Sequence, residues 1–425
     1  MTDRPFRSRF VARAAGLGVV VALVLCGAAV RAAGPASAPA TAPAATLPTS
    51  RAALPGLRPA TEQAVADFGA KVDAALRRGD GAMLDAHFDA GSLVTAMTRD
   101  VNLPPRAYVG FTEGFARNFT FGTDVARSLG RTGSYRFLRV VRPPDAPDEP
   151  RALFRLVTPQ SFTYHQLVVR QDRSGAAWVV DAYDYRQGEL LSQNKRRVAL
   201  QVATVTGRAA DHADFVRQLQ AGSRMEEQVN RQRADDALAT FEELPENLRG
   251  EKWLHLIRLN AAAAVGPQKL GSAIADYGRR FPKDPTLDLV CVNLFARGKQ
   301  YAAALGAIDR LDAAMGGDPY LDVLRAYLML AQDKPAEAKA ACLKAAAREP
   351  GLHGAHDVLL EVALKERDHA ETLRLLDLLE KQFRVSYGDL TRHGPRFAEF
   401  MKSPEYQRYA KTHPTSRPAT APARR

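Results

Sequence analysis

The sequence predicts two folded regions of different class. The first is an α+β domain, in which a curved antiparallel sheet packs against helices, and the second is an all-α array of repeated helix pairs. Three observations predict this organisation. Stretches rich in Val, Phe, Tyr and Leu alternate with turn residues over 134–187. Apolar positions recur every 34 residues over 253–379. An apolar run near the N-terminus indicates export.

Residues 1–33 have the three-part pattern of a secretory signal. Four arginines precede an uncharged apolar run over 14–30, and small residues follow Arg31. The run is also long enough to span a bilayer, so a cleaved signal peptide and an uncleaved anchor both stay open. A lipoprotein signal is excluded because Leu25, which is not small, precedes Cys26. Either reading predicts an exported protein, periplasmic or otherwise extracytoplasmic, that touches the inner membrane only if this segment is not cleaved.

Two Pro/Ala-rich segments border the folded regions. Residues 34–60 contain six Pro and nine Ala, a composition that favours an extended, semi-rigid linker. Residues 412–425 share this composition and carry three Arg, which predicts a disordered basic tail.

Residues 61–200 predict the α+β domain. Apolar residues at helical spacing predict one helix ending near 79–81, and a short helix is predicted over 83–88. Pro104 and Pro105 can open a third helix that runs to about residue 119. Strands are predicted over 134–141, 151–158, 161–171 and 176–187. The turn sequence at 172–175 joins the last two strands as a hairpin, and a closing helix follows over 189–200.

Helices followed by long strands, ending in the hairpin LVVRQDRSGAAWVVDAYDY (167–185), resemble the nuclear transport factor two-like, or SnoaL-like, family. The resemblance implies a cone-shaped domain whose curled sheet forms a pocket for a small ligand. It also implies a homodimer formed through the open face of the sheet. It carries over no catalytic residue, because members of this family share a shape more than a motif.

Four polar side chains on the predicted strands are candidates for acid–base catalysis in such a pocket: Tyr164, His165, Asp181 and Tyr183. Neighbouring side chains on a strand point to opposite faces, so Tyr164 and His165 do not share a face. The alternative is that these tyrosines pack and that Asp181 makes a structural hydrogen bond.

The 34-residue period is the strongest signal in the chain, because several positions stay in phase over four units. One such position is occupied by Leu270, Ala304, Ala338 and Thr372. Another is occupied by Trp253, Leu287, Leu321 and Ala355. Chance hydrophobicity rarely keeps this phase, so residues 211–384 predict about five helix pairs.

This period resembles the tetratricopeptide repeat, a pair of antiparallel helices. Ala338, Ala345 and Pro350 match the small, small and helix-ending positions of that family. The resemblance implies a helical solenoid, and residues 385–411 then predict capping helices over its last apolar face. Cys291 and Cys342 lie at apolar positions of adjacent units, where buried thiols are expected and a disulfide stays open.

First helices of stacked pairs line a groove that can hold a peptide of a protein partner. Candidate groove residues, predicted to face outward, are His255, Asn293, Arg297, Tyr320 and Tyr327. Asn293 and Arg297 lie one helical turn apart and suit a carboxylate or a peptide backbone. Ordinary solvated surface is the alternative interpretation of these positions.

Charge and motifs narrow the function classes. The formal charge is +12, but eight of these charges lie in residues 1–33 and 411–425, which argues against a dedicated nucleic-acid surface. No zinc, nucleophile-elbow or redox motif is present in the sequence, so no metal and no cofactor are predicted. The leading hypothesis is a non-enzymatic exported scaffold for protein–protein interaction, whose cone-fold domain serves dimerisation or ligand binding. The alternative is an enzyme or small-molecule carrier acting through the cone-fold pocket.

Overall fold

The computed structural model describes residues 56–143, 146–207 and 212–413. The predicted signal or anchor, most of the predicted linker and the tail from residue 414 onward lie outside these ranges. The described chain is mixed α/β, with a small antiparallel sheet in the N-terminal half followed by a long run of helices. The predicted succession of an α+β region and an all-α region is therefore confirmed at this level of detail.

Five helices precede the main strands of the sheet. They are α1 (Glu62–Arg77), α2 (Ala82–Ala86), α3 (Ala90–Thr98), α4 (Pro105–Asn118) and α5 (Gly122–Leu129). Thr61 fixes the start of α1, because its hydroxyl accepts the Ala64 amide at 3.2 Å. The sequence patterns predicted α1, α2 and α4 but missed α3 and α5, which are short and contain Gly, Ser or Thr in place of a long apolar face.

The sheet contains β1 (Arg58–Pro59), β2 (Ser134–Val141), β3 (Arg151–Val157), β4 (Phe162–Gln171), β5 (Ala177–Asp184) and β6 (Glu189–Leu190). Strands β2 to β6 pair in sequence order, and β1 pairs with the end of β4. The pairing of β1 corrects the predicted linker, since Arg58 and Pro59 are part of the sheet. Register shifts interrupt the β2–β3 and β4–β5 ladders, and such bulges bend strands. The predicted hairpin turn after β4 is confirmed, with Gly175 at a φ of 86°.

Each face of the sheet is covered by helices of the same chain. Phe154, Leu167 and Val169 pack with α1 to α5, whereas Leu153, Tyr164 and Tyr185 pack with the helical region. Alternation along the strands sends neighbouring residues to these two different cores. Both faces of the sheet are therefore covered within the chain, and the homodimer that the resemblance implies stays a prediction.

Helix α6 (Leu191–Thr206) links the sheet to five helix pairs. The pairs are α7 and α8 (Ala213–Asn230, Ala234–Glu243), α9 and α10 (Lys252–Val265, Pro267–Arg280), α11 and α12 (Thr286–Arg297, Tyr301–Met315), α13 and α14 (Pro319–Ala331, Pro335–Arg348), and α15 and α16 (His353–Glu366, His369–Phe383). Short 3₁₀ helices, Leu390–Phe397 and Phe400–Lys402, and helix α17 (Pro404–Thr412) follow.

The second helices show the sequence period directly. α10, α12, α14 and α16 begin at Pro267, Tyr301, Pro335 and His369, each 34 residues after the one before. Ala304 and Ala338, which occupy one in-phase position, are fully buried because neighbouring helices approach closely there. The segments after α16 bury Phe397, Phe400 and Tyr409 against the last pairs.

Candidate functional site

The most substantial cavity that we describe is a groove of about 900 Å³. Its long walls are helices α13 and α15, and α11 contributes Asn293. One end is formed by residues of the N-terminal half, and one side by the 3₁₀ segment around Arg396. Its volume lies in the range of pockets that hold a small molecule or a short peptide, about 300–1,000 Å³.

Helix α13 gives the groove an aromatic and apolar wall. Tyr320, Leu324, Tyr327 and Ala331 follow one another at spacings of four, three and four residues, which places them on one face of the helix. The Tyr320 ring lies 5.5 Å from the ring of Phe162, at the start of β4. This wall therefore continues from the helix onto the sheet.

Helix α15 gives the facing wall its charge. Asp357 is buried and accepts hydrogen bonds from the hydroxyls of Tyr387, at 3.0 Å, and Tyr327, at 3.4 Å. Glu361, one turn further on, lies 2.5 Å from a guanidinium nitrogen of Arg396. Burial acts to lower the pKa of Arg396, but Glu361 and Asp357 raise it on balance, so this side chain stays charged.

The end wall comes from the N-terminal half. It consists of residues 131–134, which lead into β2, and the hairpin over 157–162 that joins β3 to β4. The hairpin is closed by Thr158, whose amide donates to the Ser161 carbonyl at 2.8 Å. The candidate site thus requires both halves of the chain.

A buried ionic cluster fixes the sheet against the helices beside this end wall. The Arg155 side chain is fully buried, and its nitrogens lie 2.5 Å from Asp318 and 2.7 Å from Glu349. The Tyr164 hydroxyl donates to the other oxygen of Asp318 at 2.8 Å. Burial alone would lower the pKa of Arg155, but Asp318 and Glu349 raise it above its ordinary value. Burial and the charge of Asp318 raise the pKa of Tyr164, so this hydroxyl stays protonated.

A second contact of the same kind lies 34 residues earlier. Asp284 accepts the Tyr183 hydroxyl at 3.4 Å and pairs with Lys252 at 2.8 Å. Asp284 and Asp318 also play the same local role, since each accepts a backbone amide two residues further on. The Asp-Pro dipeptide that starts both units was the sequence signal for these contacts, and periodicity of apolar residues alone did not reveal it.

The structure does not bring the four catalytic candidates together. Tyr164 and Tyr183 point toward the helical region, as described above. Asp181 accepts the amide and hydroxyl of Ser192 at 3.1 and 2.5 Å and so anchors the start of α6. Burial raises its pKa, although these hydrogen bonds act to lower it.

His165 lies on the opposite face of the sheet, as strand alternation predicts. Its Nδ1 is 3.3 Å from the hydroxyl of Tyr135, and its Nε2 is 3.9 Å from Asp184. Burial lowers its pKa, against the raising effect of Asp184, and favours a neutral ring. His165 lines neither of the two cavities that we describe.

Three of the five predicted groove residues line the cavity: Asn293, Tyr320 and Tyr327. Arg297 is exposed but lies outside it. The prediction that His255 faces outward is wrong. This side chain is buried beside Phe241 and Phe281, and its Nε2 is 2.9 Å from the carbonyl of Arg249. Residues such as Phe162, Asp357 and Arg396 were missed, because their sequence neighbourhoods do not connect them to the groove.

Cys291 and Cys342 are free and buried, so the disulfide left open by the sequence does not form in this structure. Cys291 lines a second cavity of about 500 Å³ between α10, α11 and α12. Burial raises the pKa of both thiols to about 12, which makes them poor nucleophiles near neutral pH.

Comparison with protein-family models, with curated proteins and with solved structures gives no match to this chain. Within residues 56–143, 146–207 and 212–413, no three His, Cys, Asp or Glu side chains are grouped so that they could hold a metal ion. In the same ranges no helix has the length and apolar character needed to cross a membrane.

Proposed function

We propose that this protein is an exported, non-enzymatic scaffold that binds a peptide segment of a partner protein in the groove between α13 and α15. The observation that carries the proposal is the cavity of about 900 Å³ with an aromatic wall on α13 and a charged wall on α15. Grooves that combine apolar anchoring surface with a few fixed polar groups are suited to peptide recognition.

The helix pairs support this assignment. Their 34-residue spacing is that of tetratricopeptide-like repeats, and we propose that they form a solenoid of that type. First helices line the inner surface of such arrays, and α11, α13 and α15 are all first helices of their pairs. The groove therefore lies where a repeat array presents its binding surface.

We infer a role for the N-terminal half in addition to the dimerisation or ligand binding that the sequence predicts. We propose that it is a cone-type domain used as one end of the binding site. Its 157–162 hairpin lines the groove, and its outer sheet face is covered by α11 to α13.

Export is proposed from residues 1–33 alone. Mass spectrometry of the mature chain, purified from the producing cells, tests it. A new N-terminus close to residue 33, recovered from the extracytoplasmic fraction, supports a cleaved signal. An intact N-terminus in the membrane fraction supports an anchor, and an intact chain in the cytoplasm contradicts export.

Peptide display tests binding in the groove. A random peptide library is selected on the wild-type protein and then measured against Ala331→Trp, which places an indole on the groove wall. Ala347→Trp is the matched control, since Ala347 is an exposed residue of α14 outside the groove. Selected peptides should lose at least tenfold in affinity with Ala331→Trp and stay unchanged with Ala347→Trp. Peptides that bind all three proteins equally would contradict the proposed site.

A second candidate function, ligand binding or catalysis at the sheet, has one observation in its favour. Tyr135, His165 and Asp184 form a continuous polar series beneath helices α1 to α5. If this series acts on a small molecule, His165→Gln should abolish that ligand's effect on melting temperature in a metabolite screen. A screen without any His165-dependent shift removes the candidate.

A further inference from the structure

The two walls of the groove differ in chemistry, and this difference identifies the kind of segment that fits between them. We propose that the bound segment combines an aromatic side chain, placed against α13, with a Lys or Arg side chain directed toward α15. This inference rests on the proposed function and specifies its partner.

The α13 wall suits an aromatic side chain. From Tyr320 to Ala331 the lining residues span eleven helical steps, or about 16 Å, which matches about five residues of extended chain. Tyr320 and Tyr327 are half-buried, so each keeps part of its ring available for contact. Aromatic rings in offset or edge contact contribute beyond the apolar area that they bury.

The α15 wall is negative at its centre. Asp357 and Glu361 lie one turn apart, and a guanidinium nitrogen of Arg396 lies 3.9 Å from the first carboxylate and 2.5 Å from the second. These three side chains sum to one negative charge. The guanidinium nitrogens of Arg396 are sealed from solvent, under the rings of Tyr387 and Phe397. The Glu361 side chain is 18% exposed, so a ligand in the groove meets its carboxylate more readily than the buried guanidinium nitrogens of Arg396.

The remaining charges of the groove lie at its two ends and do not cancel this central charge locally. Lys365 pairs with Asp333 at 2.5 Å, so the end at the C-termini of α13 and α15 is neutral. Arg131 is exposed at the opposite end, beside the hairpin of the N-terminal half. A basic side chain at the centre of the groove is thus attracted, and an acidic one is repelled.

Three fluorescein-labelled six-residue peptides, acetylated and amidated so that their ends are neutral, test the proposal. The first alternates Phe and Lys, the second Phe and Glu, and the third Ser and Lys. Fluorescence anisotropy with the full chain gives the dissociation constant of each. The Phe/Lys peptide should bind at least tenfold more tightly than either of the others. Raising the salt concentration from about 50 to 500 mM should reduce its advantage over the Phe/Glu peptide.

Glu361→Gln makes the centre of the groove neutral. It should reduce the difference in affinity between the Phe/Lys and Phe/Glu peptides, measured as the ratio of their dissociation constants, at least threefold. Glu337→Gln on α14, at an exposed position outside the groove, is the matched control and should leave the ratio unchanged. Thermal unfolding of both variants shows that the comparison is made on folded protein.

The outcomes separate this inference from the function on which it rests. The inference is overturned if the Phe/Glu peptide binds more tightly than the Phe/Lys peptide. It is also overturned if Glu361→Gln leaves the ratio of their dissociation constants unchanged. If display selection still yields binders that Ala331→Trp blocks, the proposed function stands in that case. If the three peptides fail to bind and display selection yields no binder that Ala331→Trp blocks, both proposals fail together.

Discussion

At the scale of single residues, the best-defined feature is the cluster of Arg155, Asp318 and Glu349, in which the first two side chains are fully buried and the third is partly buried. A charged group in the interior is stable only when partners compensate for the water that it has lost. Here two carboxylates from the helical region surround one guanidinium from the sheet. The cluster therefore gives the sheet one defined position on the helices.

Arg155→Ala should lower the free energy of unfolding by about 3–5 kcal/mol, because Asp318 would stay buried without its cation. Arg170→Ala is the control on the same sheet. Its pair with Glu149 is partly exposed, so its loss should cost no more than about 1 kcal/mol. Urea unfolding followed by circular dichroism measures both, and similar losses in the two variants would contradict the structural assignment.

His255 predicts a pH dependence of stability. Burial lowers its pKa from the ordinary value of 6.5 to about 4, so the unfolded chain takes up the proton first. The contribution of the neutral His255 ring to the free energy of unfolding is fully present above pH 6.5 and is lost as the pH falls toward 4. By pH 5 the loss amounts to about 2 kcal/mol.

The measurement compares wild type with His255→Gln, which keeps a hydrogen-bonding group but does not titrate. Urea unfolding from pH 7 to pH 4.5 should show a steeper decline for the wild type. Glu226, whose burial raises its pKa to about 7, produces a slope of opposite sign between pH 4.5 and 7. That slope is common to both proteins and cancels in the difference. Parallel curves would show that His255 titrates normally.

At the scale of elements, helix packing depends on small residues at a few close approaches. Gly222 on α7 is the clearest case, because a Cβ there would lie 2.1 Å from the ring of Trp253 on α9. Gly271 on α10 is the opposite case, with nothing within 4 Å of its missing Cβ. Packing therefore requires glycine at position 222, whereas position 271 has room for a side chain.

Gly222→Ala should therefore destabilise the protein by about 1–3 kcal/mol through overpacking. Gly271→Ala should stabilise it by up to about 1 kcal/mol, since alanine favours a helix over glycine. Thermal unfolding of the two variants checks both directions. A stabilising shift in both would mean that α7 and α9 are not in close contact.

Some of the elements and their contacts could be predicted from the sequence, and others could not. The strands, the hairpin turn and the 34-residue spacing were predictable, because each depends on residues that are close in sequence or repeated. The contact between Arg155 and Asp318 joins residues 163 positions apart, and no periodicity links β3 to α13. The prediction that His255 faces outward was wrong for a related reason. Its position in the first helix of a pair was predicted correctly, but Phe241 and Phe281, from two other segments, enclose its ring. Asn293, Tyr320 and Tyr327 could be predicted because helix phase alone places them on one surface.

At the scale of the whole molecule, the two halves share a core. Phe162, Tyr164 and Tyr185 of the sheet region pack with Val292 and Ile308 of the helices. The tyrosine–aspartate contacts and the Arg155 cluster add polar links across the same boundary. Such a boundary is more extensive than a flexible connection between independent domains would need.

The halves should therefore unfold together. Differential scanning calorimetry of the wild type should show one transition, with equal calorimetric and van't Hoff enthalpies. The double substitution Tyr164→Phe and Tyr183→Phe removes the two hydroxyl contacts and should lower the melting temperature or split the transition. The control Tyr108→Phe changes an exposed tyrosine of α4 and should have no effect. Two separate transitions in the wild type would contradict a shared core.

The paired aspartates also fix where the sheet can sit along the array. Tyr164 and Tyr183 lie on adjacent strands, and their hydroxyls donate to two carboxylates that are 34 residues, or one repeat, apart. The distance between the two strands therefore matches the distance between two neighbouring helix pairs. The corresponding positions one repeat earlier and one repeat later are Gly250 and Leu352, which offer no carboxylate. Sliding the sheet by one unit in either direction would leave one tyrosine without an acceptor. Extra helix pairs could accordingly be inserted after α16 without disturbing the junction, whereas an insertion between Asp284 and Asp318 would pull its two halves apart.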